Sequence, residues 1–91
     1  MAWSVDYTKT ARGQLERLPR ALAARIMSYL EDRVAVAPTS PRQYGEALRG
    51  PLSKFWKYRV GEYRVICELH DDSLIILAVK IGHQREVYKR K

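Results

Sequence analysis

Hydrophobic and polar residues alternate over residues 3–7, with Trp3, Val5 and Tyr7 on one side, and this period of two predicts a short first strand. Thr8 or Thr10 then suits a helix N-cap, because a threonine hydroxyl accepts from the free amides of the first turn. The helix runs to about Leu18 and repeats Ala11, Leu15 and Leu18 at helical spacing. Pro19 ends it and fits the first turn of the next helix. There Leu22, Ile26, Leu30 and Val34 fall four apart on one face with Met27 beside them, while Arg20, Arg25, Asp32 and Arg33 mostly take the other side. Such an amphipathic helical hairpin needs a sheet to cover, and its apolar stripe reads as core.

Pro38, Ser40 and Pro41 stop the second helix, and no clear period appears from there to about Lys54. Gly45, Gly50 and Pro51 mark turns in this stretch. Connections of such length are often functional or irregularly packed. Period two returns over residues 56–60, 63–69 and 74–81, which read as three strands. Gly61-Glu62 fits a two-residue hairpin turn and Asp71-Asp72 a second turn. The expected fold is α+β: an N-terminal strand and a two-helix hairpin packed on a mainly antiparallel four-stranded sheet, in the order β-α-α-β-β-β, as one domain over residues 1–91. No internal repeat or low-complexity run interrupts it, and 46% hydrophobic with 30% charged residues is ordinary globular make-up.

A two-residue turn sets the register, and the register sets the faces. With Val60 paired to Tyr63, Arg59 stands opposite Arg64, Tyr58 opposite Val65 and Lys57 opposite Ile66. Trp56, Tyr58, Val60, Tyr63, Val65, Cys67, Leu69, Leu74, Ile76 and Ala78 then share the face that the helices cover. The other face gathers Lys57, Arg59 and Arg64, with Ile75, Leu77 and Val79 beyond them. Like charges directly opposed across strands are destabilising, and an anion or carboxylate between them relieves the strain. Glu68 lies on that face two pairs further along, so a solvated polar face remains the plainer reading.

Charge adds weight to the first reading. The formal net charge is +7 and the isoelectric point about 9.9. Residues 1–41 hold 6 bases and 4 acids, and residues 42–91 hold 11 bases and 6 acids, so the surplus sits in the C-terminal half. An anionic partner is implied: nucleic acid, an acidic protein or a membrane surface. The longest apolar run, residues 74–79, is far short of a membrane span. The opening Met-Ala-Trp-Ser-Val-Asp has no signal-peptide character. The single cysteine, Cys67, excludes an intrachain disulfide and fits a reducing cytoplasm.

After the last strand come Gly82, His83, Gln84, Arg85, Glu86, Val87 and Tyr88. A histidine such as His83 can move protons, Arg85 suits a phosphate, and Tyr88 donates a proton or stacks on a base. With Ile81 pairing near Glu62, these residues fall at the same end of the sheet as Arg64. Together with the three clustered bases they describe a phosphodiester site. Cys67 and His70 are too few for zinc, Asp71 and Asp72 serve a turn, and neither a Gly-rich phosphate loop nor a Ser/His/Asp set is recognisable. No metal or other cofactor is expected. Metal-free RNA cleavage needs no enzyme nucleophile, because the 2′-hydroxyl attacks its own phosphate.

Leu48-Arg49-Gly50, the run from Trp56 to Ile66 (W-x-Y-R-V-G-x-Y-R-V-I), Gly82-His83 and Glu86-Val87-Tyr88 together resemble the RelE branch of the RelE/ParE toxin superfamily. The N-terminal strand and helical hairpin fit as well, so the resemblance spans essentially the whole chain. It implies a cytoplasmic type II toxin that enters the ribosomal A site, against ribosomal RNA, and cuts translated mRNA. It also implies a RelB-like antitoxin that blocks the basic surface. Operator DNA would be contacted only through the antitoxin complex, and no membrane is involved. Carried onto this chain, Lys57 matches a basic residue near the scissile phosphate and Arg64 the central phosphate-stabilising arginine. Tyr88 matches the terminal tyrosine that orients or stacks on substrate. His83 and Arg85 fall in the tail segment that supplies further catalytic groups. Arg59, Lys54, Arg49, Lys80, Lys89 and Arg90 would bind RNA and ribosome.

Two positions depart from the family pattern. Gln84 stands where many relatives have Arg directly after the tail His, and Phe55 stands where some have a second lysine, with Lys54 beside it. Two other activities are compatible with the fold. A ParE-like toxin would poison DNA gyrase without cutting RNA and would not need Lys57, Arg59 and Arg64 together with Tyr88. A basic module that blocks translation sterically would depend on charge but hardly on His83 or the Tyr88 hydroxyl.

Overall fold

The chain begins with β1 (Ser4–Tyr7) and α1 (Lys9–Glu16) in the computed structural model, which describes residues 2–50 and 54–87. Thr8 is the cap of α1. Its backbone is extended and its hydroxyl oxygen accepts from the Ala11 amide at 3.1 Å, satisfying one of the free donors of the first turn. Pro19 precedes α2 (Arg20–Tyr29), and α2 passes into a π-helical segment at Leu30–Val34. The wider turn is closed by the Ala35 amide donating to the Leu30 carbonyl at 2.8 Å. Ile26, Leu30 and Val34 are fully buried, and Leu22 and Met27 pack partly against them. The predicted stripe is therefore core.

The stretch without a period holds more structure than its pattern suggests. A 3-10 turn at Pro41–Tyr44 leads into β2 (Glu46–Ala47). β2 pairs antiparallel with β3 (Phe55–Val60), Glu46 opposite Lys57 and Ala47 opposite Trp56. With β4 (Tyr63–His70) and β5 (Ile75–His83) the sheet has five strands in the order β1-β5-β4-β3-β2. β1 joins β5 in parallel and the other neighbours are antiparallel. Four strands were expected, because two residues are too few to display an alternation.

Between β3 and β4 all six pairs follow the register set by the two-residue turn at Gly61-Glu62, where Gly61 takes φ +61°. Between β4 and β5 the register differs from expectation. Residues 71–74 form the turn, and Leu74 sits at φ 56° within it rather than on the helix-covered face. Further along, Cys67 pairs with Ala78 but Ile66 pairs with Lys80, so Val79 is an extra residue in β5. Groups from the N-terminal segment hold this bulge. The Thr8 hydroxyl donates to the Val79 carbonyl at 3.4 Å, and the Gln14 side-chain oxygen accepts from the Ile81 amide at 2.6 Å.

The bulge shifts the phase of the strand by one residue. Ile76, Ala78 and then Ile81 point into the core, whereas Lys80 and Gly82 take the outer face opposite Ile66 and Arg64. Ile81 consequently pairs with Val65, not near Glu62, and His83 pairs with Tyr63. The core joins Tyr58, Val60, Val65, Cys67, Ile76 and Ile81 of the sheet to the buried stripe of the helices. Each large side chain fully buried there contributes roughly 1.5–3 kcal/mol. On the outer face Ile75, Leu77 and Val79 are half-buried. A last single turn, α3 (Gln84–Val87), leaves β5 at the end where Arg64 lies, and the Gln84 amide donates to the Glu62 carbonyl at 2.9 Å. No helix among the described residues is long and apolar enough to cross a membrane.

Candidate functional site

β2 pairs with Lys57 and Trp56 of β3, the Leu48 amide donates to the Phe55 carbonyl at 3.0 Å, and among the described residues no strand pairing on that side reaches Arg59. A cleft of about 340 Å³ opens at this edge, lined by Tyr29, Tyr44, Glu46, Lys57, Arg59 and Arg64. The structure thus gathers the three bases that the strand register places on one face, and it brings two tyrosines and a carboxylate to them.

Arg59 and Arg64 are direct cross-strand neighbours. Among the described residues, neither has a carboxylate partner. Arg64 is 7% exposed. Its guanidinium donates to the Tyr63 carbonyl at 3.3 Å and to the Gln84 side-chain oxygen. Both acceptors are neutral, so they orient the cation without cancelling its charge, and its field is directed into the cleft. Lys57 is held by Glu46, Nζ to Oε1 at 3.3 Å, a contact that follows from the pairing of β2 with β3. Phe55 carries the Lys54 ammonium 5.4 Å above its ring, and Lys54 also approaches Glu68 at 3.8 Å. Lys54 therefore lies along the outer face and does not replace a cleft lysine. Lys80, turned outward by the bulge, stands beyond Ile66 in line with Lys57. Arg49 is exposed after β2.

The tail residues stand differently. His83 pairs with Tyr63, one pair beyond the Arg64–Gly82 pair, and it does not line the cleft. Its Nε2 lies 3.1 Å from Glu62 Oε1, its Nδ1 accepts from the Arg85 amide at 3.3 Å, and its ring meets Tyr63 edge-on at 5.6 Å. With Nδ1 accepting, the proton of the neutral ring is on Nε2, donated to Glu62. Arg85 is exposed. Tyr88, Lys89 and Arg90 lie outside the described residues.

The residues missed by sequence reasoning come from the aperiodic stretch and from α2. Tyr44 and Glu46 flank Gly45, which presses onto the floor of the site: a Cβ there would stand 2.7 Å from Tyr58 Cε1 and 3.1 Å from the Lys57 carbonyl. The turn before them is braced. Ser40 caps it, accepting from the Arg42 amide at 3.1 Å. The buried Tyr58 hydroxyl donates to the Pro41 carbonyl at 2.8 Å. Arg42 grips Asp71 with two bonds of 3.1 and 2.8 Å and lies 5.5 Å over the Trp56 ring. That grip holds the Asp71 carboxyl below its usual range, and burial pushes the Tyr58 phenol well up. The signal that marks this turn is Ser-Pro followed four residues later by a glycine that must pass close beneath. Gln84, the departure from the family pattern, also has a place: it is the acceptor that holds Arg64.

Residues 5–88 match the family model of the ParE toxin of the parDE type II toxin–antitoxin system. The chain belongs to this toxin family. Within the wider RelE/ParE superfamily it is 26% identical over 90 residues to Toxin RelG of Mycobacterium tuberculosis, covering 99% of this chain and 100% of that one. The fold is shared with the toxin–antitoxin complex RelBE2 of M. tuberculosis, at a TM-score of 0.82 and 24% identity over 91% of this chain and 92% of that one. It is also shared with a free, doubly substituted RelE toxin of E. coli, at 0.73 and 22% over 97% and 92%. In this type II toxin the basic cleft is the feature with chemical potential, since among the described residues it combines concentrated positive charge, aromatic walls and the Glu46 carboxylate.

Proposed function

We propose that this toxin is a ribosome-dependent endoribonuclease that cuts mRNA in the ribosomal A site by 2′-hydroxyl attack and so inhibits translation. The observation that carries the reading is Arg59 directly opposite Arg64, with Lys57 beside them, in one cleft whose described lining holds a single carboxylate, Glu46. Two arginines opposed without an acid between them make a binding site for an anion. A phosphodiester bends into such a cleft with its non-bridging oxygens toward the guanidinium groups.

In the reaction O2′ bonds to phosphorus, the bond from phosphorus to O5′ breaks, and a 2′,3′-cyclic phosphate and a 5′-hydroxyl result. A proton leaves O2′ and another reaches O5′. Arg64 and Arg59 offset the charge that builds on the phosphorane, an effect worth about 10²–10³ in rate for one well-placed donor. Glu46, the carboxylate that lines the cleft, accepts the O2′ proton. Lys57, 3.3 Å away, orients that carboxylate and adds positive charge. The tail beyond β5, with Arg85 and Tyr88, supplies the proton for O5′ and the contact with the leaving nucleotide, while His83, turned toward Glu62 and Tyr63, anchors the start of that tail. Lys80, Lys54 and Arg49 extend the positive surface toward RNA and ribosome, and Lys89 and Arg90, outside the described residues, add two further cations of the sequence for the same partners.

The partner of this toxin, on the same reading, is a RelB-like antitoxin that covers the basic cleft. Relatives of this fold solved in complex with RelB-type antitoxins support it. The name of the matching family model favours one second reading, a ParE-like inhibitor of DNA gyrase. The two part in one assay. Labelled message is incubated with the toxin, with and without translating ribosomes, with EDTA in the ribosome-free arm, and gyrase supercoiling is measured in parallel. Cuts confined to ribosome-bound message support the nuclease. Uncut message together with blocked supercoiling supports the gyrase inhibitor.

A further inference from the structure

Tyr44 and Val36 are the large hydrophobic residues left exposed among the described residues, and Tyr44 is the one that lines the cleft. Three observations set it apart from an ordinary surface tyrosine. Tyr44 is 37% exposed yet stands on a braced turn, between the close-packed Gly45 and the Arg42 that Asp71 grips. One face of the ring is already taken by the Arg33 guanidinium, 5.9 Å from the centroid. The ring shares its cleft with Lys57, Arg59 and Arg64, the groups suited to a phosphate.

A nucleotide offers two recognisable parts, an anionic phosphate and a flat apolar base. A site with cations for the first and a pre-positioned aromatic ring for the second matches both. Stacking on such a ring is tolerant of sequence, because every base has a π-face. A ring fixed by its turn and by Arg33 gives up little conformational freedom on binding. We infer that Tyr44 is a nucleobase platform: an unpaired base flanking the scissile phosphate stacks on its open face while the phosphate lies against Arg59 and Arg64. This rests on the endonuclease reading and adds to it a positioning residue outside the tail. The stacked base fixes the sugar beside the phosphate and with it the line of O2′ attack.

The test is a cycle on programmed ribosomes under single-turnover conditions. Messages carrying a normal or an abasic nucleotide on either side of the cut are treated with wild-type toxin, Tyr44→Phe, Tyr44→Leu and Arg64→Ala. The wild-type toxin is expected to cleave one of the two abasic messages about 5- to 160-fold more slowly than the normal message, the range that one stacked base commands. Tyr44→Phe keeps that difference. Tyr44→Leu is slow on the normal message and loses no more on the abasic one, with an unchanged circular dichroism spectrum. Tyr44→Leu cleaving the normal message at the wild-type rate overturns the inference, as does a Tyr44→Leu deficit that simply multiplies with the abasic deficit. The endonuclease reading fails separately, and the platform with it, if wild-type toxin cuts no message or if Arg64→Ala cuts as fast as wild type.

Discussion

Replacing Gly45 and Gly13 with alanine, one at a time, probes how tightly the cleft is built onto the sheet. Gly13 lies inside α1, and a Cβ added there meets nothing within 4 Å. Alanine at that position gains about 0.5–1 kcal/mol from helix propensity. Gly45 has an ordinary extended backbone (φ −123°), so alanine carries no conformational penalty and any cost is steric. That cost is large. The new methyl would lie 2.7 and 2.9 Å from two ring carbons of Tyr58 and 3.1 Å from the Lys57 carbonyl. Tyr58 is 1% exposed and tied by its hydroxyl to Pro41, so the ring has nowhere to swing. Overpacking of this kind costs about 1–3 kcal/mol. Thermal unfolding followed by circular dichroism should therefore separate the two variants in sign. Gly13→Ala melts higher and Gly45→Ala lower, by roughly 4–8 °C for each kcal/mol in a chain of this size. Gly45→Ala should also slow cleavage, because lifting the turn carries Tyr44 and Glu46 away from Arg64. A Gly45→Ala protein as stable and as active as wild type would show that the turn does not rest on Tyr58.

The β5 bulge gives a second prediction. Gln14→Ala removes the acceptor of the Ile81 amide and should cost about 1–3 kcal/mol in urea unfolding, with faster hydrogen exchange at Ile81, while Gln14→Glu retains most of the stability. Wild-type exchange at Ile81 in the Ala variant would remove Gln14 from this role. Leu30→Ala, in the fully buried stripe, should cost about 2–5 kcal/mol, and a change near zero would contradict the packing of the π-helical segment. Burial raises the Cys67 thiol far above its ordinary pKa. Above about pH 8.5 the unfolded state loses a proton that the folded state keeps, so stability falls with pH by about 1.4 kcal/mol per unit. Cys67→Ala should flatten that slope up to about pH 10, where the raised phenols of Tyr7 and Tyr58 continue it. An identical slope in the variant would refute the assignment.

Local chemistry was legible wherever it acted over a few residues. The Gly61-Glu62 turn determines six β3–β4 pairs at once, which is why the Lys57, Arg59 and Arg64 cluster could be placed from pattern alone. The helix stripe was legible for the same reason, with a period of four leading from Ile26 to Val34. The bulge was not, because the groups that hold it, Thr8 and Gln14, lie 71 and 67 residues from their partners. It corrected the position of Ile81 and sent Lys80 outward. β2 and the Tyr44 turn escaped because a two-residue strand has no period and a braced turn is specified by contacts with Tyr58, Trp56 and Asp71. Tyr29 entered the site from α2, whose outward residues carry no sign of what lies beside them. The grouping of His83 with Arg64 was legible only as far as the end of the sheet. The register brings them to neighbouring pairs, and the alternation of the strand then turns His83 toward Glu62 and Tyr63.

On the proposed reading, Arg64 stabilises the transition state of RNA cleavage. The most direct test of that role is the single-turnover rate of message cleavage on programmed ribosomes, wild type against Arg64→Ala, with both proteins shown to be folded and the product ends identified. Wild type should give 5′-hydroxyl products, and the variant should cleave at a rate about 10²–10³ lower, if Arg64 stabilises the transition state. Equal rates for the two proteins, or products with a 5′-phosphate, would contradict it.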